Sequence, residues 1–193
     1  MNSPLELYTT ELGGKTGISP YKIKVERRLS DLLDYFSDRE ASEEILRGGE
    51  DPIIYEVYEI PFEPLEGLLN VGCTVIYPGK VGDEYYFTKG HFHEKESTSE
   101  IYIGMKGEGI ILIQDHEGKA VNIKIKPNVL VYIPPGTAHR TVNVGREKLV
   151  FIAIYPSDAG HDYETVRTKG FARVVLEEDG KPIIKDNPRY KRE

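Results

Sequence analysis

At 193 residues and 21.9 kDa, with 39% hydrophobic and 30% charged residues, the chain is long enough to bury one core and short for two independent ones. A net charge of -7 and a pI near 5.4 argue against general nucleic-acid or membrane-surface binding, which calls for a basic face, and no apolar run approaches bilayer length. Cys73 is the only cysteine, which excludes an intrachain disulfide; with no signal-peptide pattern at Met1-Asn2-Ser3-Pro4, a cytoplasmic location is expected.

Gly13-Gly14, Gly17 and Pro20 break up the apolar pieces between Met1 and Arg28, which predicts an extended arm with at most a strand near Tyr21 to Val25. Ser30 is placed to cap a short helix over Asp31 to Phe36. Ser37 with Glu40 makes a capping-box pattern for a second helix over Asp38 to Arg47, stopped by Gly48-Gly49. Residues 1–50 therefore read as an arm and short helices packed on a barrel with a C-terminal extension over residues 51–193, in one structural domain.

From Pro52 onward the pattern is of strands: Ile53 to Tyr58, Val71 to Tyr77, Tyr85 to His93, Glu100 to Met105, Gly109 to Gln114, Ala120 to Ile125, Val129 to Ile133, His139 to Val144 and Lys148 to Tyr155. Pro78-Gly79, Lys106-Gly107, His116-Glu117-Gly118, Pro127-Asn128 and Pro134-Pro135-Gly136 supply turns between them. Many short strands without long helices predict an all-β antiparallel sandwich or small barrel. Within Val71 to Tyr77, Cys73 reads as a small buried apolar residue, since nothing in the sequence supplies it a base. Beyond Pro156, a loop over Ser157 to His161, a short helix over Asp162 to Thr168, a strand over Phe171 to Leu176 and a charged Asp186 to Glu193, exposed apart from Pro188 and Tyr190, are expected.

The segment with chemical content is His91-Phe92-His93. Residues two apart on a strand share a face, so the two imidazoles project together. The polar, turn-prone stretch Glu94 to Ser99 allows a hairpin that returns Glu100 beside them, and Pro134 to Ala138 form a rigid turn that aims His139. Three imidazoles and one carboxylate suit a borderline divalent metal with positions left open for water or substrate. Alternation on the strands points Lys89 and Arg140 away from such a centre, as surface charges, and His116 falls in a solvated turn.

His91-x-His93 with Glu100 and Gly107, followed by Pro134-x-Gly136-x-x-His139-x-x-x-Asn143, resembles the two metal motifs of the cupins, jelly-roll barrels (double-stranded β-helices) with metal in the mouth. The gap from His93 to Glu100 is longer than the common cupin motif has, and Asn128 stands where its second motif usually has Gly. Asn tolerates the left-handed backbone better than most residues, so the turn can survive. The long gap, Thr88-Lys89-Gly90-His91-Phe92-His93 and Asp158-Ala159-Gly160-His161-Asp162-Tyr163 are similar to the archaeal cupin-type glucose-6-phosphate isomerases, over roughly Asp51 to Tyr190.

That resemblance implies a homodimer, one divalent metal per subunit with iron first and manganese, nickel or zinc as substitutes, and interconversion of glucose 6-phosphate and fructose 6-phosphate. It places the metal on His91, His93, Glu100 and His139 and the phosphate on Thr74, Thr88, Gly90 and Tyr155, where neutral donors can line a strand-built pocket. Tyr55, Tyr102, Tyr155 and Tyr163 are candidates for sugar contacts, because a tyrosine offers an apolar face and one hydroxyl; Tyr102 stands out, two residues after Glu100. Glu100 is the candidate proton carrier in an enediolate route, with a metal-promoted hydride shift as its rival, and His161 is placed to assist ring opening. A cupin dioxygenase and a non-catalytic sugar-binding cupin are the alternatives that the same ligand set allows.

Overall fold

The computed structural model describes residues 10–13 and 17–191. The remainder of the arm expected before Arg28, including Gly14, and the last two residues of the C-terminal segment expected to be exposed lie outside the described residues.

In chain order the strands are β1 (Glu11–Gly13), β2 (Gly17–Ser19), β3 (Ile23–Arg28), β4 (Ile53–Ile60), β5 (Leu69–Ile76), β6 (Lys80–Val81), β7 (Glu84–Tyr85), β8 (Glu100–Lys106), β9 (Gly109–Gln114), β10 (Ala120–Ile125), β11 (Leu130–Ile133), β12 (Ala138–Asn143), β13 (Leu149–Pro156), β14 (Arg173–Glu178) and β15 (Lys181–Asp186). Two helices, α1 (Arg39–Arg47) and α2 (Tyr163–Lys169), and a 3-10 turn over Leu29–Leu32 stand beside them. A six-stranded antiparallel sheet, in the order β11-β8-β13-β5-β4-β3, is joined by a three-stranded sheet β10-β9-β12 and a smaller sheet β15-β14-β7-β6. This is the all-β antiparallel architecture that the strand pattern predicts. No described helix is long and apolar enough to cross a membrane.

Period-two alternation divides the large sheet. On β13, Phe151, Ala153 and Tyr155 enter the core between the sheets, with Tyr102, Ile111 and Val142, while Val150 and Ile152 join Tyr58, Cys73 and Val75 on the other face. Strand β2, paired antiparallel with β1, contributes Ile18 to that outer face. A Cβ on Gly17, whose φ is +75°, would fall 2.1 Å from Cys73 Sγ, so only glycine lets β2 approach so closely. Cys73 is fully buried as expected, and burial pushes its thiol up to about 12.

Three local expectations need correction. Ser30 is not a helix cap: its N–H and Oγ donate to the Asp51 carboxylate, each at 2.9 Å, and Asp31 instead accepts from the Arg28 N–H. Ser37 does not cap α1 either. Asp38 does so, accepting from Ala41 N at 2.9 Å, because Ser37 gives both its N–H (2.7 Å) and its hydroxyl (2.6 Å) to the buried carboxylate of Glu84. The strand expected over Tyr85 to His93 survives only as β7; isolated bridges then hold Phe87 to Val142, His91 to His139 and Phe92 to Asp162.

Candidate metal centre

Gly90 explains both the broken strand and the position of the histidines. Its φ is +72°, and a Cβ there would lie 2.6 Å from the Phe171 ring and 2.8 Å from the His139 carbonyl oxygen. Only glycine allows the chain to turn so close to β12. The turned segment is then pinned by paired backbone bonds: His139 N to His91 O (3.1 Å) and His91 N to His139 O (3.4 Å), with Phe92 and Asp162 bonded the same way. His139 stands on β12 and Glu100 opens β8, so neighbouring strand segments deliver the four side chains to one point.

One ligand atom from each of His91, His93, Glu100 and His139 lies within 4.8 Å of all the others. Glu100 Oε2 is 2.9 Å from His139 Nε2 and 3.4 Å from His93 Nε2, yet no hydrogen bond satisfies His91 Nε2, His93 Nε2, Glu100 Oε2 or His139 Nε2. Four orphaned polar atoms buried around one point would each carry a desolvation cost, which a shared cation removes. The donor set therefore fits a borderline divalent ion. His139 Nδ1 is also without a partner.

The charge states agree. Burial, reinforced by neighbouring imidazoles, holds His91 well below the usual histidine range, so it is neutral and able to ligate. Burial alone would raise the Glu100 carboxyl, but its contacts with His139 and His93 outweigh that and leave it below its usual value, hence ionised. Burial, with the charge of Glu100, keeps the Tyr102 phenol well above its ordinary value and therefore a donor.

Above the cluster opens a cavity with about 570 Å³ of space between atoms, counting its mouth. Its wall brings together Tyr55, Thr74, Thr88, Gly90, Tyr102, Tyr155, His161 and Tyr163 with His91, Glu100 and His139; His93 is not part of that wall. His161 meets the His91 ring edge-on at 4.5 Å between centroids and is stacked with Tyr163 at 5.7 Å. Burial lowers the pKa of His161 and raises that of Tyr163 to about 12.

Two residues of this neighbourhood escape sequence reasoning. Glu59 lines the cavity and accepts from Tyr155 Oη at 3.2 Å, and burial raises its carboxyl. Alternation along β4 with Tyr55 and Val57 is the signal that could have found it. Thr98, beside His93, is one polar residue in a polar turn and carries no signal.

Arg140 is also corrected: it points away from the metal cluster as expected, but it is only 2% exposed rather than at the surface. Its guanidinium lies between the rings of Phe87 (4.2 Å) and Phe171 (4.4 Å) and donates through Nε and Nη2 to the Lys89 carbonyl. Lys89 itself is partly buried, with its ammonium over the Tyr35 ring. His116 is about half-exposed and stacks on Phe92, with ring centroids 4.1 Å apart.

Comparison with known proteins places these features in a family context. The family model described as glucose-6-phosphate isomerase (GPI) matches residues 26–193. A glucose-6-phosphate isomerase of Thermococcus kodakarensis is 55% identical over 177 residues, covering 92% of this chain and 93% of that protein. One from Pyrococcus abyssi is 50% identical over 189 residues, covering 96% and 100%, and one from Sinorhizobium medicae is 38% identical over 155 residues, covering 80% and 72%.

Proposed function

This chain belongs to the glucose-6-phosphate isomerase family, and from that premise we propose that it interconverts glucose 6-phosphate and fructose 6-phosphate in the cavity above His91, His93, Glu100 and His139. Those four residues hold one divalent metal ion per subunit, with iron the first to test. The observation that carries this reading is the convergence of four buried ligand atoms that have no hydrogen-bond partner.

Moving a carbonyl between C1 and C2 requires a proton to leave carbon beside a carbonyl. A divalent cation on this ligand set would supply Lewis-acid polarisation of the substrate oxygens. Glu100, ionised and lining the cavity, carries the proton between C2 and C1. His161, neutral at the cavity wall, passes protons at the anomeric and ring oxygens during ring opening. Tyr102, kept protonated, donates to a sugar oxygen, and Tyr55 and Tyr163 line the sugar. Thr74, Thr88, Gly90 and Tyr155 receive the phosphate. The raised carboxyl of Glu59 softens the repulsion that a phosphate at Tyr155 would otherwise meet.

The working unit is proposed to be a homodimer. Support comes from β3, which among the described residues is an edge of the large sheet, and from Leu12, Tyr21 and Ile23, which expose apolar surface. Sedimentation at micromolar concentration distinguishes dimer from monomer.

The deciding experiment is a coupled assay on fructose 6-phosphate, before and after chelation, with iron, manganese, nickel and zinc added back. Turnover lost on chelation and restored by at least one ion is expected; no turnover with any of them would refute the assignment. Run in deuterated water, incorporation at C2 of the glucose 6-phosphate formed supports Glu100 as carrier, whereas its complete absence favours a direct hydride shift.

A further inference from the structure

Strand alternation puts His139 and Arg140 on opposite faces of β12, and behind Arg140 lies a second cavity with about 860 Å³ of space between atoms, counting its mouth. Its wall includes Asp34, Tyr35, Arg140, Arg167, Arg189 and Lys191, four cations against one carboxylate. Arg167 is already engaged, bonded to Glu164 at 2.6 Å and 3.8 Å from Asp34. Among the described residues, no carboxylate comes within ion-pair distance of Arg140, Arg189 or Lys191. The Arg189 side chain donates to the Phe36 carbonyl. Arg140 spends Nε and Nη2 on the Lys89 carbonyl.

Buried Glu84 acts on Arg140 and Arg189 through space and offsets part of their charge, but Lys191 adds a further cation to the same space, and this concentration of cations occurs in a chain whose net charge is -7. Guanidinium groups are suited to paired hydrogen bonds to phosphate oxygens, and a lysine adds a mobile point charge. We propose that this cavity is a binding site for a small anion carrying a phosphate or pyrophosphate group, separate from the cavity over the metal cluster. Blocking the first cavity with its substrate rests on the proposed function, whereas the response of pyrophosphate binding to Lys191→Glu does not, so failure of one is distinguishable from failure of the other.

The probe is inorganic pyrophosphate, titrated calorimetrically into the metal-loaded full chain at low salt, with fructose 6-phosphate present throughout to occupy the first cavity. Saturable binding is expected, weakened at least about tenfold by Lys191→Glu and by Arg189→Gln, with the fold and the basal isomerase rate unchanged. Lys191→Glu decides the matter if Arg189→Gln disturbs the fold, since the Lys191 side chain is exposed. Parallel titrations with a hexose bisphosphate and a nucleoside diphosphate show which source of the same chemistry the cavity prefers. Absence of pyrophosphate binding, or binding that Lys191→Glu leaves untouched, overturns the proposal.

Discussion

Thr98 Oγ1 stands 2.8 Å from His93 Nδ1 and 2.7 Å from the Lys95 carbonyl oxygen. The hydroxyl has one proton, which the carbonyl must receive, so Thr98 accepts from Nδ1–H of His93. That arrangement fixes the tautomer and leaves Nε2 unprotonated toward Glu100 and His139. Thr98→Val removes the acceptor while nearly keeping the volume. Groups that hold ligand imidazoles in this way contribute about 10- to 100-fold in metal affinity. The backbone carbonyl of Thr98, 3.2 Å from the same nitrogen, compensates in part, so a loss near tenfold is expected in chelator competition. Unchanged affinity would show that the tautomer is set elsewhere.

Arg140 illustrates a different economy, a charge held in the interior by aromatic faces and one carbonyl. Burial pushes its guanidinium down to about 10, still protonated at neutral pH. Arg140→Met keeps much of the length but leaves the Lys89 carbonyl without its two donors and removes cation–π contact with Phe87 and Phe171. Loss of a buried bond to a charged group and of desolvated cation–π contacts together amounts to about 2–4 kcal/mol. Urea denaturation should show this as a lowered midpoint, and Arg140→Lys should recover only part of it because an ammonium lacks the planar fork. A midpoint within experimental scatter of the parent for Arg140→Met would contradict this account.

The same residue marks the limit of what could be read without coordinates. Alternation gives the direction of Arg140 but not what lies in that direction, and Phe87 and Phe171 come from remote parts of the chain. Ser37 and Asp38 are both good caps, and the choice between them is made by Glu84, 47 positions away. The convergence of His91, His93, Glu100 and His139 was legible because ligand chemistry restricts residue types and because turn residues lie between them. Asn128 was legible for a related reason: its φ of +65° is the left-handed turn that a short polar side chain tolerates. Thr98 and Glu59 are ordinary polar residues locally, and only their neighbours in space give them a role.

Acid sensitivity should arise partly at the edge of the large sheet. Burial on its own would raise the Glu56 carboxyl, but hydrogen bonds from Lys24, Tyr77 and Tyr58 outweigh it and leave the pKa below the ordinary 4.5. A depressed folded-state pKa contributes stability that is present above the unfolded value and is lost as pH falls through the folded value. The window is therefore below pH 4.5, and neutral and alkaline pH should leave this contribution intact. Lys24→Met removes the 2.7 Å ion pair with Glu56 and should flatten the acid limb of a stability–pH profile. An acid limb identical to the parent's would place the sensitivity in other carboxylates.

Gly90→Ala tests whether backbone geometry, rather than ligand identity alone, assembles the metal cluster. The added methyl enters a backbone region with φ of +72°, where an L residue is strained by about 1 kcal/mol, and it meets the Phe171 ring at 2.6 Å and the His139 carbonyl oxygen at 2.8 Å. The aromatic ring can yield only by disturbing the Arg140 stack, and the carbonyl only by breaking its bridge to His91. Either response moves His91 or His139 relative to Glu100 and His93, although all four ligands remain in the sequence. Overpacking of this kind costs about 1–3 kcal/mol, so the variant should fold with reduced stability and bind metal weakly. Metal content by atomic emission and stability by calorimetry should fall together; a variant that retains full metal content and full stability would show that segment 90–93 has room this geometry denies it.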